Sequence, residues 1–292
     1  CHTIARVRNP EYYSESQFLK DELGLAMVIN PEFAAASEIA RVLRFPSAIK
    51  IDVFGRGRVE LLKFRLPENS PLAGCAVKEI VTKLHCDVLV CTVERGDEVH
   101  IANGEFVFEE KDVISIVAAT RKAGEFFRKI KYKMNSVKDV MVVGGGEIGH
   151  YLCEQLIRSG MSVKLIEKDP ARCETLCATL DDGVAVINGD ASDQNILVES
   201  GLEQTGAFVA LTNLDEENIL LSLFAKSVCD CKCVTKINRI GFDNVISKLD
   251  LDTIINPKSI TSDTIVRYVR AMSSSRGSNM ETLYNVIKGK EE

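Results

Sequence analysis

The pattern of apolar and polar positions is sharpest in the second half of the chain. Val140-Met141-Val142-Val143 is a short apolar run of strand type. It leads into Gly144-Gly145-Gly146-Glu147-Ile148-Gly149. His150 to Ser159 then reads as a helix, with Leu152, Leu156 and Ile157 on one face and Gly160 as its stop. Ser162 to Glu167 is the next strand, and Pro170 opens a helix in its favoured first-turn position. Val184 to Ile187 is a third strand, running into Asn188-Gly189-Asp190-Ala191, and a helix follows from about Asp193 to Ser200. Ala207 to Leu211 is a fourth strand. Asp215 to Lys226 is a helix whose first-turn acids suit its dipole, and Cys233 to Ile237 is a fifth strand. Strict alternation of strand and helix predicts an α/β fold: a Rossmann-like, doubly wound parallel sheet with helices on both faces.

The first half reads differently. Thr3–Val7, Ser16–Leu23, Ala26–Ile29 and Pro31–Arg44 give strand, helix, strand, helix. After residue 47 the pattern shifts to strands at Ile49–Phe54, Val59–Leu66, Val88–Val93 and Val113–Val117, with a short helix at Val77–Leu84. That is a small α+β module over 47–118. The charged, partly helical stretch 119–136 reads as a linker.

Self-similarity changes the picture. Aligning Leu23–Pro46 with Leu249–Met272 without a gap gives eight identities, among them Asn30-Pro31 with Asn256-Pro257, and Ile39, Arg41 and Arg44 with Ile265, Arg267 and Arg270. Cys1 to Tyr12 likewise resembles Cys231 to Phe242. Residues 1–46 are therefore expected to be the back half of a domain whose complete copy spans 137–272. On that expectation the tandem repeat is partly truncated, and 273–292 begins a second small module.

Composition narrows the classes. A chain of 292 residues, 46% apolar and 27% charged, has the make-up of two or three globular domains. Its longest apolar run, Ile219 to Ala225, falls far short of the roughly 20 residues a bilayer span needs. A net charge of −6 disfavours a non-specific grip on nucleic acid or anionic lipid, so neither a nucleic-acid partner nor a direct lipid anchor is expected. The ten cysteines include Cys229, Cys231 and Cys233 on one strand face, and Cys173 and Cys177 one helical turn apart. Only His2, His85, His100 and His150 could join them, and none pairs locally, so no metal site is expected. Reduced thiols, used as small apolar residues in a cytosolic protein, are the expectation.

Candidate chemistry centres on the glycine run. Gly144, Gly146 and Gly149 fit G-x-G-x-x-G between a strand and a helix, the loop that lets a pyrophosphate approach a helix N-terminus. Glu167 ends the next strand; its carboxylate suits ribose hydroxyls and repels a 2′-phosphate, which favours NAD(H), or ATP/ADP, over NADP. Asp190 and Ala191 end the third strand on the same sheet edge, and Thr212 and Asn213 end the fourth. Each pair has a competing role as a turn or helix cap. Lys168 is placed either to meet a phosphate or to lie in solvent. His150 reads as a helix-face residue rather than a catalyst. A dehydrogenase needs a proton donor facing the nicotinamide, and no clear one is visible. An NAD-dependent oxidoreductase is therefore the alternative reading; a DNA-binding redox regulator lacks a basic helix-turn-helix.

These residues carry a resemblance. Val142–Gly149, Gly189-Asp190-Ala191 and Leu211–Asn218 resemble the nucleotide-binding domain that regulates potassium conductance, the RCK domain, as found in the TrkA-type family. Ile4–Tyr12 is similar to that family's fifth strand, and Ser70-Pro71-Leu72-Ala73-Gly74 is similar to its small C-terminal module. The resemblance implies a regulator rather than an enzyme, peripheral on the cytoplasmic face of the membrane. It implies a homo-oligomer, a dimer or tetrameric ring, whose partner is a membrane-embedded Trk-type potassium channel or transporter. It adds Glu147 and Ile148 to the candidate nucleotide contacts. The Pro31–Arg44, Asp215–Ser227 and Lys258–Arg270 helices are candidates for subunit contacts.

Overall fold

The computed structural model describes residues 3–8, 15–44, 50–54, 59–96, 98–130, 132, 137–239, 249 and 251–274. They divide into two compact units. One combines the described residues up to Arg44 with those from Val137 onward; the other is built from those between.

The first unit opens with strand β1 (Ile4–Arg6), helix α1 (Ser16–Glu22), strand β2 (Met27–Ile29) and helix α2 (Pro31–Arg44). β1 and β2 pair in parallel as a sheet of two strands. Pro31 fits the first turn of α2, and the Asn30 side chain caps it, accepting from Phe33 N–H at 2.8 Å. α2 buries one apolar face at helical spacing, Ala35, Ala36, Ile39 and Leu43.

The second unit is an antiparallel sheet with helices. Its elements are β3 (Lys50–Phe54), β4 (Val59–Arg65), α3 (Glu79–Leu84), β5 (Val88–Arg95), β6 (Glu98–Ile101), β7 (Val113–Ala119) and α4 (Thr120–Lys129). The strand order is β3-β4-β7-β5-β6. The linker expected over 119–136 is corrected for residues 119–130; 131 and 133–136 lie outside the described residues. Ala119 closes β7, and α4 inserts Ala123, Phe126 and Phe127 fully into the core beside Phe64, Ile114 and Ile116. Lys122 and Arg128 are exposed, and charged residues dominate the composition of so short a segment. Strand β6 was not foreseen either. Within Ser70–Gly74, Leu72 is buried and its N–H donates to Ser70 Oγ.

The first unit resumes with β8 (Asp139–Val143), α5 (Glu147–Arg158), β9 (Ser162–Glu167), α6 (Pro170–Thr179), β10 (Val184–Asn188), α7 (Gln194–Glu199), β11 (Ala207–Ala210), α8 (Asp215–Val228), β12 (Lys232–Lys236), β13 (Thr253–Ile255) and α9 (Pro257–Ser274). Six parallel strands lie in the order β10-β9-β8-β11-β12-β13, the doubly wound arrangement. Strand alternation splits the core in two. Val140, Val142, Val163 and Leu165 face α5, α6 and α2; Met141, Val143, Phe208 and Ala210 face α7 and α8. Thus α2 packs on α5, and α9 lies against α2.

Within the described residues, the first 44 have no further strand of their own to cover them. The parts of the chain compared at Asn9–Tyr12, and the expected second small module from residue 275, lie outside the described residues.

Candidate functional site

The strand order reverses between β8 and β11, and there the sheet opens a crevice at its carboxyl edge. A cleft of about 320 Å3 occupies it. Its floor is the glycine loop after β8. Gly144 has φ +104°, and a Cβ there would lie 2.9 Å from the Leu211 carbonyl. At Gly149 a Cβ would sit 2.2 Å from the Gly144 oxygen, so α5 can press on the loop only with glycine at this point. Gly146 has open space where its Cβ would be. It is the N-cap of α5 and brings no capping side chain, so the positive end of the helix stays clear for an anion.

Eight of the eleven candidate residues line this cleft: Gly144, Gly146, Glu167, Lys168, Asp190, Ala191, Thr212 and Asn213. The other three do not. Ile148 packs on the core, Gly149 lies under the Gly144 carbonyl, and Glu147 pairs with Arg172 at 3.4 Å.

Glu167 has a second task beyond the ribose role read from sequence. Its Oε2 accepts from Gly145 N–H at 2.7 Å and its Oε1 from Asp169 N–H at 2.9 Å. Each oxygen retains a lone pair for a hydroxyl donor. Asp190 accepts from Ser192 N–H at 2.9 Å. That bond, helped by the Ser192 hydroxyl and the Lys168 charge, holds its carboxyl below the usual range, so Asp190 is an anion at neutral pH. The cap of α7 is Asp193, not Asp190. Thr212 N–H donates to Asn218 Oδ1 at 2.8 Å, and Asn218 Nδ2 returns to Thr212 O at 3.1 Å, locking this rim to α8.

Sequence reasoning passed over Arg172, Asp169, Leu214 and Glu217, which also line the cleft. The signal for Arg172 was its place in the first turn of α6, directly after the strand that ends in Glu167. Its Nε donates to the Gly145 carbonyl at 2.7 Å. Lys236 was missed too. It is buried at the end of β12, where its Nζ donates to Leu211 O at 3.2 Å. Burial pulls its pKa down, and Asp215 partly restores it.

His150 stands on α5 with Glu154 3.5 Å from its Nε2. Among the described residues the nine cysteines are free thiols, and no cluster of His, Cys, Asp or Glu could hold a metal ion. Cys229 and Cys231 bring their sulfurs within 2.6 Å at the far end of α8.

Comparison with known families decides the relationship. Residues 140–257 match the TrkA-N domain and residues 61–131 match the TrkA-C domain. The chain matches both domains, each over part of its length. The TrkA-C match ends at residue 131, just past α4, and so includes the helix once expected as linker. The TrkA-N match begins in β8 and contains the whole cleft lining.

The Archaeoglobus fulgidus "Trk system potassium uptake protein TrkA homolog" is 30% identical over 271 residues, 93% of this chain and 61% of that protein. The Vibrio alginolyticus "Trk system potassium uptake protein TrkA" is 30% identical over 296 residues, 99% of this chain and 64% of that one. The chain thus spans less than two thirds of the length of these TrkA relatives. Among solved structures, the GsuK RCK domain superposes with a TM-score of 0.62 at 16% identity, covering 94% of this chain and 58% of that one. The GsuK channel bound to NAD gives 0.64 at 16% identity, covering 94% and 48%. At that identity the likeness speaks for the RCK fold. Among the described residues, no helix is long and apolar enough to cross a membrane.

Proposed function

We propose that this chain is a nucleotide-binding regulatory part of a potassium uptake system. The observation that carries the reading is the cleft at the β8/β11 reversal: an uncapped helix start, an open Gly146, and Glu167 anchored beside the loop. NAD(H) is the first candidate ligand and ATP or ADP the second. Gly144 and Gly146 would cradle the phosphates and Glu167 the ribose. Asp190, Ala191, Thr212 and Asn213 would border the base and the rim, with Lys168 toward the phosphates. The TrkA relatives, named for potassium uptake, support the choice of system, and the NAD bound to the GsuK channel supports the choice of ligand.

The reading is of a regulator, not an enzyme. The TrkA relatives are named for potassium uptake rather than for a reaction, which supports that choice. Nucleotide binding would act by favouring one arrangement of an oligomer over another, and a tenfold preference corresponds to about 1.4 kcal/mol. The partner would be a membrane-embedded Trk-type potassium channel or transporter, met from the cytoplasmic side by a dimer or ring of this protein. On α8, Leu220 is 68% exposed, and α9 exposes Val266 and Val269, so these two helices are the favoured subunit faces. The apolar face of α2 is already buried within its own unit. Residues 1–46 would be the back half of a first nucleotide domain: β1 and β2 pair in parallel, and Asn30 caps α2 as Asn256 caps α9.

Calorimetric titration with NADH, NAD, ATP and ADP tests the reading. Binding of at least one nucleotide, weakened by Glu167→Ala in a folded protein, is expected. Binding of none would overturn it.

A further inference from the structure

Four acids line the cleft, Glu167, Asp169, Asp190 and Glu217, against two cations, Lys168 and Arg172. A ligand that carries phosphates into such a site depends on those cations. Arg172 is the better placed of the two. Its Nε is fixed on the Gly145 carbonyl at 2.7 Å, which sets the guanidinium beside the glycine loop. Its Nη2 reaches Glu147 Oε1 at only 3.4 Å, and the two side chains are 28% and 41% exposed.

We propose that Arg172 is a phosphate-binding residue of this cleft and that Glu147 is its built-in competitor. The inference rests on the nucleotide reading above and adds to it which side chains meet the phosphates. Glu147 occupies part of the Arg172 fork. A nucleotide phosphate takes that place, and the Arg172–Glu147 pair opens.

The physical case has three parts. A long, part-exposed guanidinium–carboxylate pair is weakly held. A phosphate offers more charge and oxygens spaced for the planar fork, which Arg matches and Lys does not. Glu147 also stands in the first turn of α5, next to the helix end where a phosphate would sit, so its own charge opposes that phosphate.

The test is titration of the chain with ADP and with adenosine, followed by NMR shifts so that weak binding is measured. Arg172→Gln is expected to weaken ADP binding about tenfold or more and to leave adenosine within about twofold. Arg172→Lys, which can still brace Gly145, recovers only part of the loss. Glu147→Gln is expected to tighten ADP binding, and that gain disappears in the Arg172→Gln background. Equal weakening of ADP and adenosine by Arg172→Gln would make Arg172 a loop brace only. An unchanged or weaker ADP affinity in Glu147→Gln would remove the competitor. Either result, with wild-type ADP binding intact, overturns this inference alone; no ADP binding by the wild type overturns the nucleotide reading with it.

Discussion

Asn30 Nδ2 donates to the Tyr151 hydroxyl at 3.0 Å, joining residues 121 positions apart in the chain. Asn30 is only 2% exposed and its other amide atom caps α2, so one side chain fixes both the start of that helix and its seat on α5. The Phe33 ring meets Tyr151 edge-on, with centroids 5.4 Å apart. Tyr151→Phe removes the shorter of the two bonds this buried amide donates, the other going to Arg8 O at 3.4 Å, and is expected to cost about 1 kcal/mol. Asn30→Ala is expected to cost more, because the cap is lost as well. Urea denaturation of the two single variants and the double variant measures the coupling.

The glycine loop gives a pair of opposite outcomes. Gly149→Ala would push a methyl against the Gly144 carbonyl, and a loss of about 1–3 kcal/mol in stability is expected, with nucleotide affinity falling alongside. Gly146→Ala meets no neighbouring atom. It should leave thermal stability near wild type while blocking the approach of a phosphate. Melting curves and ligand titration on the same two samples separate the effects.

In the second unit, Phe126 is fully buried and packs edge-on against Phe64 and Phe127. Phe126→Ala is expected to destabilise that unit by about 3–5 kcal/mol. An exposed linker residue would move stability by a few tenths. Proteolysis followed by mass spectrometry shows whether cleavage then concentrates in 59–130.

Lys236 makes a pH-dependent contribution of unusual sign. Folded, burial lowers its pKa; unfolded, it keeps its proton up to the usual lysine range. Between those two values the unfolded chain binds a proton that the folded chain does not, so stability rises with pH across that window. Lys236→Met removes the effect. The wild-type stability minus that of the variant should therefore increase as pH climbs towards the lysine range, measured by denaturant titration at several pH values.

Much of the TrkA-N unit was legible because period and punctuation agree there. β8, β10 and β11 are mostly apolar runs that end at Gly144, Asn188 and Thr212, β9 ends at Glu167, and each following helix has a readable start. The linker reading failed over 119–130 because charged residues dominate Thr120–Lys129, while only three of its side chains, Ala123, Phe126 and Phe127, enter the core. Arg172 and Lys236 escaped for another reason. Their roles come from partners distant in sequence, Gly145 and Leu211, and no local spacing encodes such meetings. The grouping of α2 with α5 is of the same kind; the repeat marked α2 as domain-like but could not name the helix it leans on.

Helix α5 has 12 residues, so it is a rod about 18 Å long. One end is the floor of the cleft, and its flank at Tyr151, Leu152 and Leu156 carries α2. A tilt of about 5° at the loop displaces the far end by about 1.5 Å over that length. Close-packed side chains transmit such a displacement rather than absorb it. Filling the cleft should thereby reach a helix that the chain completed over a hundred residues earlier, and a change in amide exchange along Pro31–Arg44 is the expected signature.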